Sequence, residues 1–373
     1  MPASEAAASE AAQSGLELRG LDLTLGRVRF QDHDFADMHA TLERSAGAWS
    51  GHLDSPNVAG DIVWTPTGRG SLVARLARLS VAQAAHPDQV QVQSSAELPA
   101  LDVTAERFEF RGRWLGKLEL LARPHGDAWR IERLDISNGH AKFASTGLWR
   151  PTGDGPLTTL DVKLESENLN ALFAQFGYGD YLKRGEGSLE GTLVWPGYPY
   201  DFALAALAGH FKVEAKRGQF AKIEAGAGKL LGLLSLQSLP RRALLDFRDV
   251  FSEGFAFDRM HGNVKIAHGV LITDDFEISG PSAFVALSGE VSLPEETQTL
   301  TMRVVPEVSE GIALAATLIG TPVLGLSTLL VSKLLRNPLG KVVAYEYRVT
   351  GSWDNPQVAR TSAPSPKAAE AKP

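Results

Sequence analysis

Apolar and polar residues alternate along most of this chain with a period of two. Leu21, Leu23 and Leu25 are interleaved with Asp22 and Thr24, and Phe108 and Phe110 flank Glu109. The pattern returns at Leu134/Ile136, Leu160/Val162/Leu164, Phe211/Val213, Val264/Ile266, Phe276/Ile278 and Leu300/Met302/Val304. Successive side chains of an extended chain point to opposite faces, so each run is predicted to be a strand with one apolar and one polar face. Turn-forming residues separate the runs: Asp127, Asn138-Gly139, Thr152 to Gly155, Lys216-Arg217-Gly218 and His268-Gly269. The expected result is a mainly β protein built on an antiparallel sheet that is wet on one side. A weak repeat runs through it. Trp49 is followed by Trp64 in a Trp-Thr-Pro-Thr-Gly stretch, and Trp129 by Trp149 in Trp-Arg-Pro-Thr-Gly. Such repetition implies a sheet extended by similar hairpin units. The tryptophans at strand–turn junctions are expected to be packing anchors rather than a carbohydrate platform.

Helical signals are few. Glu167–Phe176 has helical apolar spacing and an asparagine at the cap position, and 223–239 carries a leucine-rich stripe ended by Pro240. Between Glu310 and Lys333 the chain carries no charge, although 22% of its residues are charged. Gly320-Thr321-Pro322 interrupts that run, which favours an apolar helical hairpin over 311–335 rather than a single membrane span.

Composition narrows the function. A net charge of -7 argues against nucleic acid as a partner. Cysteine is absent, so disulfides, thiolate catalysis and cysteine zinc sites are excluded. The nine histidines are scattered, with no pair at the spacing of a helical metal motif. Gly226-Ala227-Gly228-Lys229 lacks the upstream glycine and the following Ser or Thr of a phosphate loop. Asp274-Asp275 and Glu295-Glu296 read as solvated turn charges. Neither an enzyme nor a cofactor is expected. The first residues lack the basic start and apolar core of a secretory signal, and the Ala/Ser/Glu-rich start (1–15) and the tail (359–373) are expected to be disordered.

The stretch Ala225 to Leu236, then Leu245-Asp246-Phe247-Arg248-Asp249-Val250-Phe251 to Asp258, resembles the C-terminal signature of the AsmA-like proteins. Their large YhdP-type envelope branch in Gram-negative bacteria is the nearest. The ending Ala344 to Pro356 is similar to theirs as well. The resemblance runs from about Leu16 to Val358 and is strongest after Gly185. It implies a repetitive β-groove segment over 16–215 and an AsmA-like C-terminal region over 216–358. It also implies an elongated, curved sheet whose apolar groove carries phospholipid between the inner and outer membranes, an architecture shared with TamB. The expected location is the periplasm or cell envelope, with an inner-membrane anchor only in a longer parent chain. The family offers no catalytic or metal-binding residue to transfer, and protein partners in the envelope are unknown.

Candidate groove residues are then the alternating apolar positions. They are Phe108, Phe110, Leu134 and Ile136; Leu160, Val162 and Leu164; Phe211, Val213, Val264 and Ile266. For the 311–335 hairpin, Ile312, Leu314, Leu318, Ile319, Val323, Leu324, Leu329 and Leu330 are candidates to enter a membrane surface, expected to be the outer membrane. Lys333, Arg336 and Lys341 would reach headgroup phosphates by snorkelling. The rival reading makes these helices a plug over the end of the sheet. A rival function is an envelope assembly or scaffold factor that binds extended protein segments at the sheet edge. A transmembrane barrel is disfavoured, because Arg130 to Asp135 places charges regularly on the face that lipid would touch.

Overall fold

A computed structural model describes residues 18–30, 33–82, 98–199, 203–221, 254–306 and 345–361. The structure is mainly β. Among the described residues eighteen strands belong to one hydrogen-bonded sheet. In chain order they are β1 (Gly20–Phe30), β2 (His33–Ser45), β3 (Ala48–Asp54), β4 (Val58–Thr65), β5 (Ser71–Val81), β6 (Ala100–Phe110), β7 (Arg113–His125), β8 (Ala128–Ser137) and β9 (Ala141–Thr152). After these come β10 (Gly155–Ser166), β11 (Leu182–Pro196), β12 (Ala208–Phe220), β13 (Ala256–Ala267), β14 (Val270–Ser279), β15 (Ala283–Ser292), β16 (Thr297–Pro306), β17 (Tyr345–Ser352) and β18 (Pro356–Arg360). One short helix, α1 (Leu169–Gln175), lies between β10 and β11. The strands gather into two compact units, and the chain passes from the first to the second inside β10, at Asp161/Val162; residues 196–202 return to the first.

In the first unit β1 to β5 pair antiparallel in sequence order, as do β6 to β9. The exception to the expected antiparallel pattern is β5–β6, which run parallel from Ser71↔Ala100 to Val81↔Phe110. A parallel pair cannot be closed by a tight turn and needs a crossover of a dozen or more residues between its strands. In the second unit β11 to β18 pair antiparallel in order.

The expected repeat has a structural counterpart. Trp49 and Trp64 are direct cross-strand partners, and so are Trp129 and Trp149. Each of these hairpins is closed by the same turn. The Ser55 N–H donates to the Val58 carbonyl (2.8 Å), and the Asn138 N–H donates to the Ala141 carbonyl (3.0 Å). The side chains of Ser55 and Asn138 accept from the backbone N–H two and three residues on, which replaces the missing ladder bonds. In the second unit the Gly280 N–H donates to the Ala283 carbonyl in the same way.

α1 matches the expected helix, and the Asn168 side chain accepts from the Ala171 N–H at its cap. The two longer helical expectations, 223–239 and 311–335, lie outside the described residues, as does the glycine-rich Gly226–Lys229 stretch. Two expected turns are instead strand interior. Lys216-Arg217-Gly218 lies within β12, and Asp274-Asp275 lies within β14. Both are bulges. Arg217 adopts φ 50°, and the β14–β15 register slips between Thr273 and Phe276. Two consecutive polar residues break the alternation as a turn would, but the chain continues straight on with its phase inverted. Glu295-Glu296 does lie in a turn, between β15 and β16.

Candidate functional site

Each unit carries one apolar face, and the bulges decide which residues reach it. In β6, Val103 and Ala105 are buried, Glu106 and Arg107 are both exposed, and Phe108 is buried again. The register slips there, from Ala105↔Leu118 to Phe108↔Gly116. In β5 the slip falls at Ala77–Arg78, which is in register with Glu106–Arg107 because Leu76 pairs with Ala105 and Arg78 with Arg107. β8 has a further bulge, at Glu132–Arg133. Bulges bend a strand and increase its twist, so a line of them across neighbours creases the sheet locally.

Four of the candidate groove residues come together in the first unit. Phe108, Phe110, Leu134 and Ile136 share one apolar cluster with Leu76, Val103 and Leu118. Phe108 and Phe110 lie 6.4 Å apart between ring centroids. Leu79, Val81, Leu101 and Leu120 also join this face. Sequence reading missed Leu79 and Val81, which the Ala77–Arg78 bulge brings onto this face; the apolar–polar–apolar pattern of Leu79-Ser80-Val81 was the signal. Leu160 is buried on β10, close to where a side chain at Gly147 would sit.

The second unit divides its apolar face. At one end Leu182, Phe220, Phe257, Ile278, Val304 and Tyr347 form a closed core, with Phe220 stacked on Phe255 and tilted against Phe257. Leu169, Leu172 and Phe173 of α1 pack onto this end. Gly185 and Gly187 leave room for Leu169, whose methyl groups would lie 3.2–3.3 Å from any added Cβ. Toward the other end, Phe211 and Val264 are direct cross-strand partners and Val213 pairs with Leu189; all four are half-buried. Val162 and Ile266 are buried, and Leu164 is half-buried. The buried candidates are thus covered by the protein itself, whereas Phe110, Leu134, Ile136, Leu164, Phe211, Val213 and Val264 keep apolar surface exposed. All of the candidates for membrane contact, Ile312 to Lys341, lie outside the described residues. The strands flanking that segment are adjacent; β16 ends and β17 begins at the rim that bears the closed core, with Val304 opposite Tyr345.

The opposite face is ionic. In the first unit His52 and Asp61 are cross-strand partners at 2.8 Å, Arg75 meets Asp102 at 2.8 Å, and Lys117 meets Glu119 at 3.1 Å. In the second unit Lys212 meets Glu214 at 2.9 Å. These pairs are exposed and each contributes little stability; their consequence is a face that stays in water. Lys117 is held above the ordinary lysine range by its hydrogen bond to Glu119 and by the charge of Glu106. Glu214 is held below the carboxylate range by its hydrogen bond to Lys212, with Arg259 adding to the effect. Asp275, at the β14 bulge, accepts from the backbone and side chain of Asn263. Among the described residues no cluster of three or more metal-ligating side chains forms, and no helix is long and apolar enough to cross a membrane.

Three of the tryptophans are packing anchors, whereas Trp114 is exposed. Trp129 is buried and donates to the Pro99 carbonyl (2.8 Å), Trp149 stacks on Tyr198 at 5.0 Å, and Trp353 donates to the Thr297 carbonyl (3.3 Å).

No solved structure matches the chain. Over 250 residues, 67% of its length, the chain is 30% identical to the intermembrane phospholipid transporter YhdP of Escherichia coli (strain K12), and this covers 20% of that protein. The model of the YhdP protein family matches residues 3–358, so the chain belongs to the YhdP family.

Proposed function

We propose that this chain is a lipid-conducting segment, in which phospholipid acyl chains lie along the apolar face of each unit while headgroups stay at the wet margin. The carrying observation is the half-buried apolar row, Phe110, Leu134 and Ile136 in the first unit and Phe211, Val213 and Val264 in the second, set opposite an ionic face. A chain that only needed a core would cover that row. The similarity to the E. coli phospholipid transporter supports phospholipid as the cargo. Burial of one methylene is worth about 0.8 kcal/mol, so drawing a lipid with about thirty of them into water costs on the order of 25 kcal/mol. A continuous apolar face avoids that cost, and transport along it needs no catalytic group.

In this reading 16–215 is the repetitive groove and 216–358 the terminal region. The segment operates in the cell envelope, between inner and outer membranes. The 311–335 stretch contacts a membrane surface, with Lys333, Arg336 and Lys341 at the phosphates. The test is mass spectrometry of lipid co-purifying with periplasmically expressed protein, before and after a mild detergent wash. Stoichiometric, wash-resistant phospholipid is expected. A folded, lipid-free protein would overturn the reading in favour of an assembly factor that binds extended protein segments.

A further inference from the structure

We propose that Arg44, positioned over the Trp49 ring, binds the phosphate of a phospholipid whose acyl chains lie on the apolar face of the first unit; this rests on the transport reading above. β2 places Met38, Ala40 and Leu42 on the apolar face, and Arg44 is the next residue in the same register, directly opposite Trp49. The row therefore ends in a cation. Its guanidinium carbon lies 5.8 Å from the Trp49 ring centroid, and Trp49 faces Trp64 across the next strand pair. Gly70 lets the Trp64 ring lie where it does, since an added Cβ would stand 2.3 Å from it.

Two arginines of the opposite face are ion-paired. Arg75 meets Asp102 at 2.8 Å and Arg133 meets Glu119 at 3.9 Å, so their charge is met by a carboxylate. Arg44 instead sits over an indole, at cation–π distance. A guanidinium held over a ring by cation–π attraction keeps N–H groups available, and that planar fork matches two oxygens of a phosphate. An indole beside it suits the boundary between acyl chain and headgroup. A cation over a ring also occurs in the second unit, beside its closed core. Arg360 pairs with Tyr347, on the apolar-face register, and its guanidinium lies 4.6 Å from the Tyr345 ring.

The test is calorimetric titration of the whole chain with three probes: dihexanoyl phosphatidylglycerol below its micellar concentration, hexyl maltoside and inorganic phosphate. R44Q is expected to weaken the phospholipid about tenfold, as loss of a charge-assisted contact implies, and to leave hexyl maltoside unchanged. R44K is expected to recover part of the loss, and R75Q on the polar face to cost nothing. Arg44 is exposed, and equal melting temperatures check that the variants fold. Unchanged phospholipid affinity in R44Q would overturn the proposal while leaving the apolar groove standing. Inorganic phosphate binding as tightly as the phospholipid would overturn it too, by making this a simple anion site. If neither phospholipid nor maltoside binds the wild-type chain, the transport reading itself fails, and this proposal with it.

Discussion

Single residues show how tightly the covered parts of each face are packed. An added Cβ at Gly218 would stand 1.9 Å from the Phe257 ring, inside the closed core of the second unit. G218A is therefore expected to destabilise that unit by about 1–3 kcal/mol, read from denaturant midpoints; a neutral result would mean that the Phe257 ring moves freely. The buried tryptophans make a sharper pair. Trp129 donates to the Pro99 carbonyl, whereas the Trp149 indole N–H has no hydrogen-bond partner among the described residues. W129F should cost about 1 kcal/mol more than W149F, because only the first breaks a hydrogen bond. Equal losses would contradict this. Glu214 gives a pH dependence of known sign. Its carboxyl is held low in the folded state, so the stability it contributes is present above the ordinary carboxylate range and is lost as pH falls through the folded value. Melting curves of wild type and E214Q are expected to converge on acidification. A gap that widened instead would reverse the assignment.

At the scale of elements, the strands were legible in the sequence because apolar alternation is a direct record of which side chains are covered. Phe108/Phe110, Leu134/Ile136 and Phe211/Val213 all fall inside observed strands. The helix at Leu169–Gln175 was legible too, since a cap and a 3.6-residue spacing are local signals. Removing the cap with N168A is expected to cost about 1 kcal/mol and to loosen the α1 cover over the second unit's core, measurable as faster amide exchange at Leu172 and Phe173. The bulges were not legible as bulges. Lys216-Arg217 and Asp274-Asp275 present two polar residues in succession, and only the inverted phase beyond them separates a bulge from a turn. The parallel β5–β6 pair was hidden for a different reason: alternation says nothing about direction.

For the molecule as a whole, the two faces are chemically opposed within each unit, and the candidate groove residues fall on one of them. Sequence placed those residues by alternation alone, but it could not tell covered positions from open ones. Phe108, Leu160, Val162 and Ile266 are buried, while Phe110, Leu134 and Ile136 are open, and that difference is set by neighbours on other strands. The central claim is that lipid runs along the open positions, and β6 offers its most direct test. Because of the bulge at Glu106–Arg107, odd-numbered Leu101 and even-numbered Phe110 share the apolar face, while Asp102 and Glu109 flank them on the other side. A photo-crosslinking amino acid placed at each of these four positions in cells should capture phospholipid at 101 and 110 and not at 102 or 109. Capture at all four alike, or at none, would contradict a lipid path along this face.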